Sequence, residues 1–198
     1  MIRSRRAVAP GQLPLGLDAN PAGIAAELTR LLVATAPGSL VVPELGLATR
    51  RARVDIAHVT DQLSGFEIKS SRDDLFRLDH QEVAFSATFE RMTLVAAAGH
   101  LAPAKARIPR WWGLMIVGPD GLEVIRPPLP NPSLEPGALA ALLWREEAAA
   151  LLRASGRSPG RMTRPQIVHT ISREIDPAAI SRAVCSALRA RRGWRTAA

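Results

Sequence analysis

Hydrophobic positions along the chain alternate between two periods, and that alternation predicts the elements. After a breaker-rich stretch over residues 1–19 (Pro10, Gly11, Pro14, Gly16), Ile24, Leu28, Leu31 and Leu32 recur at helical spacing. Asn20-Pro21 supplies an N-cap and a first helical proline for that helix, and Pro37-Gly38 ends it. Leu40 to Pro43 is short and apolar and leads into Glu44, placed near the end of this first helical region. Residues 52–59 and 65–70 then read as two strands joined by the turn Thr60–Ser64. A second helix is expected from Ser71, with Asp74 completing a capping box, to about Glu90, its apolar set being Leu75, Leu78, Phe85 and Phe89. Buried strands are expected at 92–97 and 112–117, the latter turning at Pro119-Asp120-Gly121 into 122–125. Pro127, Pro128, Pro130 and Pro132 mark a linker. Helical patterns follow at roughly 136–154, 163–173 and 176–192, the last with Asp176-Pro177 as its start.

This order predicts an α/β fold: a central mixed sheet flanked by helices, with a small C-terminal helical appendage. The expected organisation is a flexible basic arm over 1–19, a core over 20–128 and a helical region over 129–198.

Composition narrows the function classes. The 198-residue chain carries 26 Lys and Arg against 18 Asp and Glu, a formal charge of +8. Such an excess favours an anionic partner, nucleic acid before others. Of the basic residues 24 are Arg and 2 are Lys, which makes Lys69 notable. A GC-rich coding sequence would also enrich arginine, so the bias by itself assigns no partner. No apolar run approaches the roughly 20 residues that span a bilayer. No long apolar stretch follows the basic Met1–Arg6, so no secretory signal is expected and a cytoplasmic location fits. A lone cysteine, Cys185, excludes an internal disulfide and a cysteine-based zinc cluster, and reads as core. His58 and His80 read as structural or exposed, His100 and His169 lack ligand spacing, and Trp111-Trp112 reads as core or a strand-edge anchor before a base-stacking pair. No glycine-rich phosphate loop points to a nucleotide cofactor.

The chemistry concentrates on the two paired strands. Asp55 lies on the first, and Glu67 and Lys69 lie two residues apart on the second, so Glu67 and Lys69 point to one face. Asp55 joins them there only in one hairpin register. Two carboxylates, with the Ile68 carbonyl, match the hard oxygen ligands of Mg²⁺ (or Mn²⁺), and a lysine beside them suits a phosphodiester transition state. Glu44 offers a further carboxylate. Arg77, Gln81 and Phe85 share a helical stripe, from which Arg77 and Gln81 can hold a phosphate or orient Lys69. Arg50, Arg51 and Arg53 form a basic cluster suited to positioning phosphates. Arg189, Arg191, Arg192 and Arg195 gather at the last helix.

The series Glu44, Asp55, Glu67-Ile68-Lys69 and Gln81 resembles the PD-(D/E)XK nuclease superfamily of restriction-endonuclease-like fold, in particular a largely uncharacterised bacterial branch. The likeness covers roughly residues 40–195. Its distinctive stretches are Arg53-Val54-Asp55-Ile56-Ala57, Glu67-Ile68-Lys69-Ser70 and the segment Ser71–Gln81. Two positions depart from the superfamily: Val54 rather than proline precedes Asp55, and Phe85 stands where many exonuclease relatives have tyrosine. The resemblance implies a metal-dependent nuclease, on DNA in preference to RNA, serving repair, defence or mobile-element processing, with a homodimer among its possible states. The rival expectations are a catalytically inactive nucleic-acid-binding module on the same fold, and a helical adaptor for protein partners.

Overall fold

The computed structural model describes residues 20–47, 52–118 and 121–191. The arm at 1–19, Arg50, Arg51, the turn residues Pro119 and Asp120, and the terminal Arg192 and Arg195 lie outside the described residues. Helix α1 (Pro21–Thr35) starts as the sequence predicts, with the Asn20 side chain accepting from the Gly23 N–H at 3.1 Å. Its buried stripe of Ile24, Leu28 and Leu32 covers one face of a six-stranded sheet.

That sheet runs in chain order: β1 (Leu40–Leu47), β2 (Ala52–Val59), β3 (Leu63–Lys69), β4 (Arg91–Ala97), β5 (Gly113–Gly118) and β6 (Gly121–Arg126). β1, β2 and β3 pair antiparallel, β3, β4 and β5 pair parallel, and β6 returns antiparallel. The parallel pairs need crossovers. Helix α2 (Leu78–Thr88) makes the first, and a short 3₁₀ turn with α3 (Leu101–Arg107) makes the second, a helix that the hydrophobic pattern did not announce. The α/β class with a mixed sheet is therefore as expected.

Each face of the sheet has its own core. Ile56, Phe66, Ile68, Val95, Met115 and Val117 meet α1 on one side. On the other, Leu63, Met92, Leu94 and Ala96 meet Leu78, Phe85 and Phe89 of the α2 region. The same cluster continues into α4 (Pro136–Ala140), α5 (Arg145–Ala154), α6 (Arg164–Glu174) and α7 (Pro177–Ala190) through Leu139, Leu152, Ile171 and Val184. The C-terminal helices thus share a core with the sheet. Trp111, Trp112 and Cys185 are buried in it. Gly65 leaves room for the side chains of Met92 on β4 and Phe89 at the end of α2: a Cβ there would lie 2.6 Å from Met92 Sδ and 2.9 Å from Phe89 Cγ.

Three expectations are corrected. Glu44 sits in the middle of β1, not near the end of a helical region, because the strand continues past Pro43 to Leu47. Helix α2 starts at Leu78 rather than Ser71. The intervening carboxylates bond their own backbone: Asp73 Oδ2 accepts from Ser70 N at 2.8 Å and Ser70 Oγ at 2.6 Å, and Asp74 Oδ1 accepts from Phe76 N at 2.9 Å. Such local bonds favour turns over helix. The third is the helix expected at 136–154, which is two helices. The carbonyls of Ala141, Leu142 and Leu143 turn to Arg164 and Arg191, and Glu147 Oε2 accepts from Trp144 N at 2.7 Å to start α5 afresh.

Candidate active site

The site grows from a fault in the β2–β3 ladder. Pairing runs from Val59↔Leu63 to Ile56↔Phe66 and stops there. In continued register Asp55 would face Glu67. Instead Asp55 Oδ2 accepts from the Ile68 N–H at 2.7 Å, so a side chain takes a backbone donor of the neighbouring strand. Val54 joins the same core cluster as Ala57 and Val59, which breaks the strict alternation of β2 beside Asp55. The strands part at this point, and the Asp55 carboxylate lies in the gap.

β1 adds a second irregularity. Glu44 falls opposite Asp55, between the pairs Pro43↔Ile56 and Leu45↔Val54, and adopts φ 55°. A glutamate with positive φ costs on the order of 1–3 kcal/mol, and such strain gathers at working sites. Its side chain is 53% exposed and forms an ion pair with Arg53.

β3 brings Glu67 and Lys69 to the same face, as the two-residue period requires, and both are buried. Lys69 Nζ donates to Glu67 Oε1 at 2.8 Å and to Gln81 Oε1 at 3.1 Å. Gln81 Nε2 donates to the same Glu67 oxygen at 2.5 Å. Gln81 reaches back from the first turn of α2 and bonds Lys69 and Glu67 together. Arg77, at the N-cap of that helix, lines the cleft without such a bond.

The other Glu67 oxygen, Oε2, is buried with no hydrogen-bond partner. Burial, reinforced by the Asp55 charge, pushes the Glu67 carboxyl up to about 7 despite Lys69 and Gln81. Burial also raises Asp55, against the opposing pull of the Ile68 N–H and Lys69. These groups line one open cleft of about 1260 Å³ between α1 and α2, together with Glu44, Arg53 and Arg77. Asp73, His80 and Arg30 line it too, and sequence reasoning assigned them no role there. The spacing of Asp73 from Ser70 was a usable signal, since Asp at that distance closes a turn over a preceding backbone N–H. His58 lies apart, bonded to Ser39 Oγ at 2.8 Å, and His100 contacts the Ser70 carbonyl at 3.1 Å.

A divalent metal fits this donor set. Glu67 Oε2 is an orphaned carboxylate oxygen, and the Asp55 charge acts on Glu67 from close by. Among the described residues no three His, Cys, Asp or Glu side chains converge, so protein ligands would number two carboxylates plus backbone oxygen. Mg²⁺ typically takes one or two carboxylates, the rest being water and phosphate.

Fold and site together define an α/β protein whose parted β2–β3 pair carries a buried acid–lysine–glutamine cluster at the floor of an open cleft. The chain belongs to the bacteriophage P4 protein cII family, whose sequence profile matches residues 26–196. Protein cII of Enterobacteria phage P4 is 35% identical over 68 residues, which are 34% of this chain and 26% of the phage protein. The matched segment therefore spans about a quarter of that relative's length. A solved structure of a protein of unknown function from Silicibacter pomeroyi is similar over 70% of this chain and 92% of its own, at 24% identity and a TM-score of 0.45. Among the described residues no helix is long and apolar enough to cross a membrane.

Proposed function

We propose that this chain is a metal-dependent nuclease of PD-(D/E)XK type that hydrolyses phosphodiester bonds, in DNA before RNA. The observation that carries the reading is Glu67: a buried carboxylate, beside a second carboxylate, with one oxygen left without a partner. A buried acceptor left unsatisfied costs about 1–3 kcal/mol. A ligand that supplies positive charge at that oxygen recovers the cost.

In this reading Asp55, Glu67 and the Ile68 carbonyl hold Mg²⁺ or Mn²⁺, with Glu44 assisting from the rim. Such an ion, when bound, neutralises charge on the phosphate and makes water a better nucleophile. Lys69 keeps its ammonium beside the scissile phosphate and meets the negative charge that builds on its oxygens. Gln81 fixes the Lys69 Nζ and the Glu67 Oε1, so neither must reorganise during the reaction. Arg53 and Arg77, which both line the cleft, seat flanking phosphates, and Arg50 and Arg51 extend that basic run in sequence. The net charge of +8 supports an anionic substrate. A role in repair, defence or mobile-element processing and a homodimeric state belong to the same proposal.

The test is incubation of the purified chain with linear, nicked, branched and single-stranded DNA, and with RNA, in Mg²⁺ or Mn²⁺. Asp55→Asn and Lys69→Met run beside the wild type. Cleavage is expected from the wild type, reduced at least about 100-fold in each variant, the scale of losing one electrostatic stabiliser. Cleavage that survives both substitutions sinks the mechanism. Salt-sensitive binding with no cleavage of any form favours the inactive binding module, and no nucleic-acid binding at all favours the protein adaptor.

A further inference from the structure

We infer that Phe76 is a stacking platform for an unpaired base of the nucleic acid seated in the cleft; the inference rests on the proposed reading only in taking that cleft to hold nucleic acid. At 78% exposure Phe76 is the most exposed large hydrophobic side chain among the described residues. Leaving a phenylalanine in water forgoes the stabilisation that burying its ring would give. The exposure does not come from a loose backbone. Leu75 and Leu78 on either side are buried at 7% and 0%. The Phe76 N–H is held by Asp74 Oδ1 at 2.9 Å, the Leu75 carbonyl accepts from Arg107 at 3.2 Å, and Asp73 ties the turn to Ser70. A fixed backbone therefore presents a bare aromatic ring.

Its position gives the ring a partner. The turn leaves β3 directly after Glu67 and Lys69, and its Asp73 and Arg77 line the cleft. Arg72 precedes it and is exposed; Arg77 follows it. A ring between two guanidinium groups in sequence, on the turn that also carries the cleft-lining Asp73 and Arg77, suits a nucleotide: the arginines take the charged backbone and the ring takes a base face. Bases inside a closed duplex are stacked on one another and offer no such face. Strand ends, branches and single strands do. Phe76 thus selects substrates with unpaired bases.

The experiment measures binding by fluorescence anisotropy in EDTA, with a short single-stranded DNA and a closed circular duplex as competitors. Phe76→Ala is expected to weaken single-strand binding about 5- to 150-fold, the range that corresponds to ~1–3 kcal/mol per stacked base. Phe76→Trp is expected to restore it, and duplex binding to stay within about twofold. An abasic position scanned through the oligonucleotide is expected to reproduce the loss at one site in the wild type and to add nothing in Phe76→Ala. Unchanged single-strand binding in Phe76→Ala, alongside a wild type that binds and cleaves, overturns the inference alone and leaves the ring for a protein contact. Equal weakening on both DNA forms also overturns it. A wild type that binds no nucleic acid overturns both this and the reading of the cleft. Thermal melting of each variant checks the fold, which an exposed side chain should leave unchanged.

Discussion

Two glutamates in this chain each face a cation at contact distance, and burial and pairing move them in opposite directions. Glu147, in the C-terminal helices, receives Arg191 through both oxygens, at 2.8 Å and 2.6 Å, and also accepts the Trp144 N–H at 2.7 Å. Its carboxyl is held below the ordinary range: burial raises it, but the Arg191 and Trp144 bonds more than offset that. Glu67 meets Lys69 at 2.8 Å and yet is pushed up to about 7. It is more deeply buried, Asp55 adds a like charge, and Oε2 has no partner. Both oxygens of Glu147 are bonded within the protein, as suits a clamp that sets the start of α5. Glu67 is left with a need that the protein does not meet, and it lines the cleft. The contrast separates an ion pair whose two carboxylate oxygens are both bonded from one that leaves a buried oxygen without a partner.

The sharpest way to break this comparison is pH. The folded-state value of Glu67 lies above its unfolded value of about 4.5, so the native state holds the proton more tightly. Stability from this group is fully present below about 4.5 and is lost as pH rises to about 7. The interval corresponds to on the order of 3 kcal/mol. Glu147 has the reverse sign: its lowered value stabilises above the ordinary carboxylate range, and that contribution is lost as pH falls through it. Urea denaturation in EDTA at pH 5 and pH 8 is expected to show a fall in the wild type that Glu67→Gln largely removes. Glu147→Gln is expected to be destabilised at pH 8 by about 1–3 kcal/mol while retaining cleavage. Added Mg²⁺ is expected to stabilise the wild type more at pH 8 than at pH 5. Identical pH slopes in the wild type and Glu67→Gln would remove the basis for treating the two pairs differently.

The two regions also differ in how far their sequences disclose them. The caps of α1 and α7 are local, and Asn20-Pro21 and Asp176-Pro177 announce both. The alternation of Glu67 and Lys69 is local as well, so their shared face was legible. The gap that seats Asp55 was not, because it depends on where β2 stops pairing with β3, a property of two strands and their packing. The positive φ of Glu44 was hidden for the same kind of reason: nothing in Val42-Pro43-Glu44-Leu45 requires it. The late start of α2 follows from Asp73 and Asp74 bonding backward and forward within the turn, which competes with the capping box the spacing suggested. The break before α5 depends on Arg164 and Arg191, more than twenty residues downstream. Long-range arginine bonds to carbonyls leave no local mark.

Gln81 tests whether the Glu67 pair is tuned or merely crowded. Its amide bonds to Glu67 Oε1 and Lys69 Nζ together. The bond to Glu67 lowers that carboxyl's value, so Gln81→Ala is expected to raise it further. Cleavage is expected to fall about 10-fold, the loss of roughly one hydrogen bond in the transition state. The acidic limb of the pH–rate profile is expected to move to higher pH in the same variant. A loss of rate with an unmoved profile would make Gln81 a structural residue and Glu67 an ordinary buried acid.

The smallest expected effect belongs to the other side of the comparison. The Arg191 guanidinium that grips Glu147 also lies over the Trp144 ring, 4.3 Å from its centroid, while the indole is 58% exposed. A cation over an exposed aromatic ring contributes about 0.5–1 kcal/mol. Trp144→Ala is therefore expected to lower stability by that amount in urea denaturation, with Trp144→Phe falling between. Neither is expected to alter cleavage, because the clamp sets the entry to α5 and does not line the cleft. The Glu147–Arg191 bonds remain in both variants, which limits the loss. If Trp144→Ala instead abolished nucleic-acid binding while leaving stability intact, the exposed indole would be a second contact surface, and the division between a structural pair and a functional pair would fail on the C-terminal side.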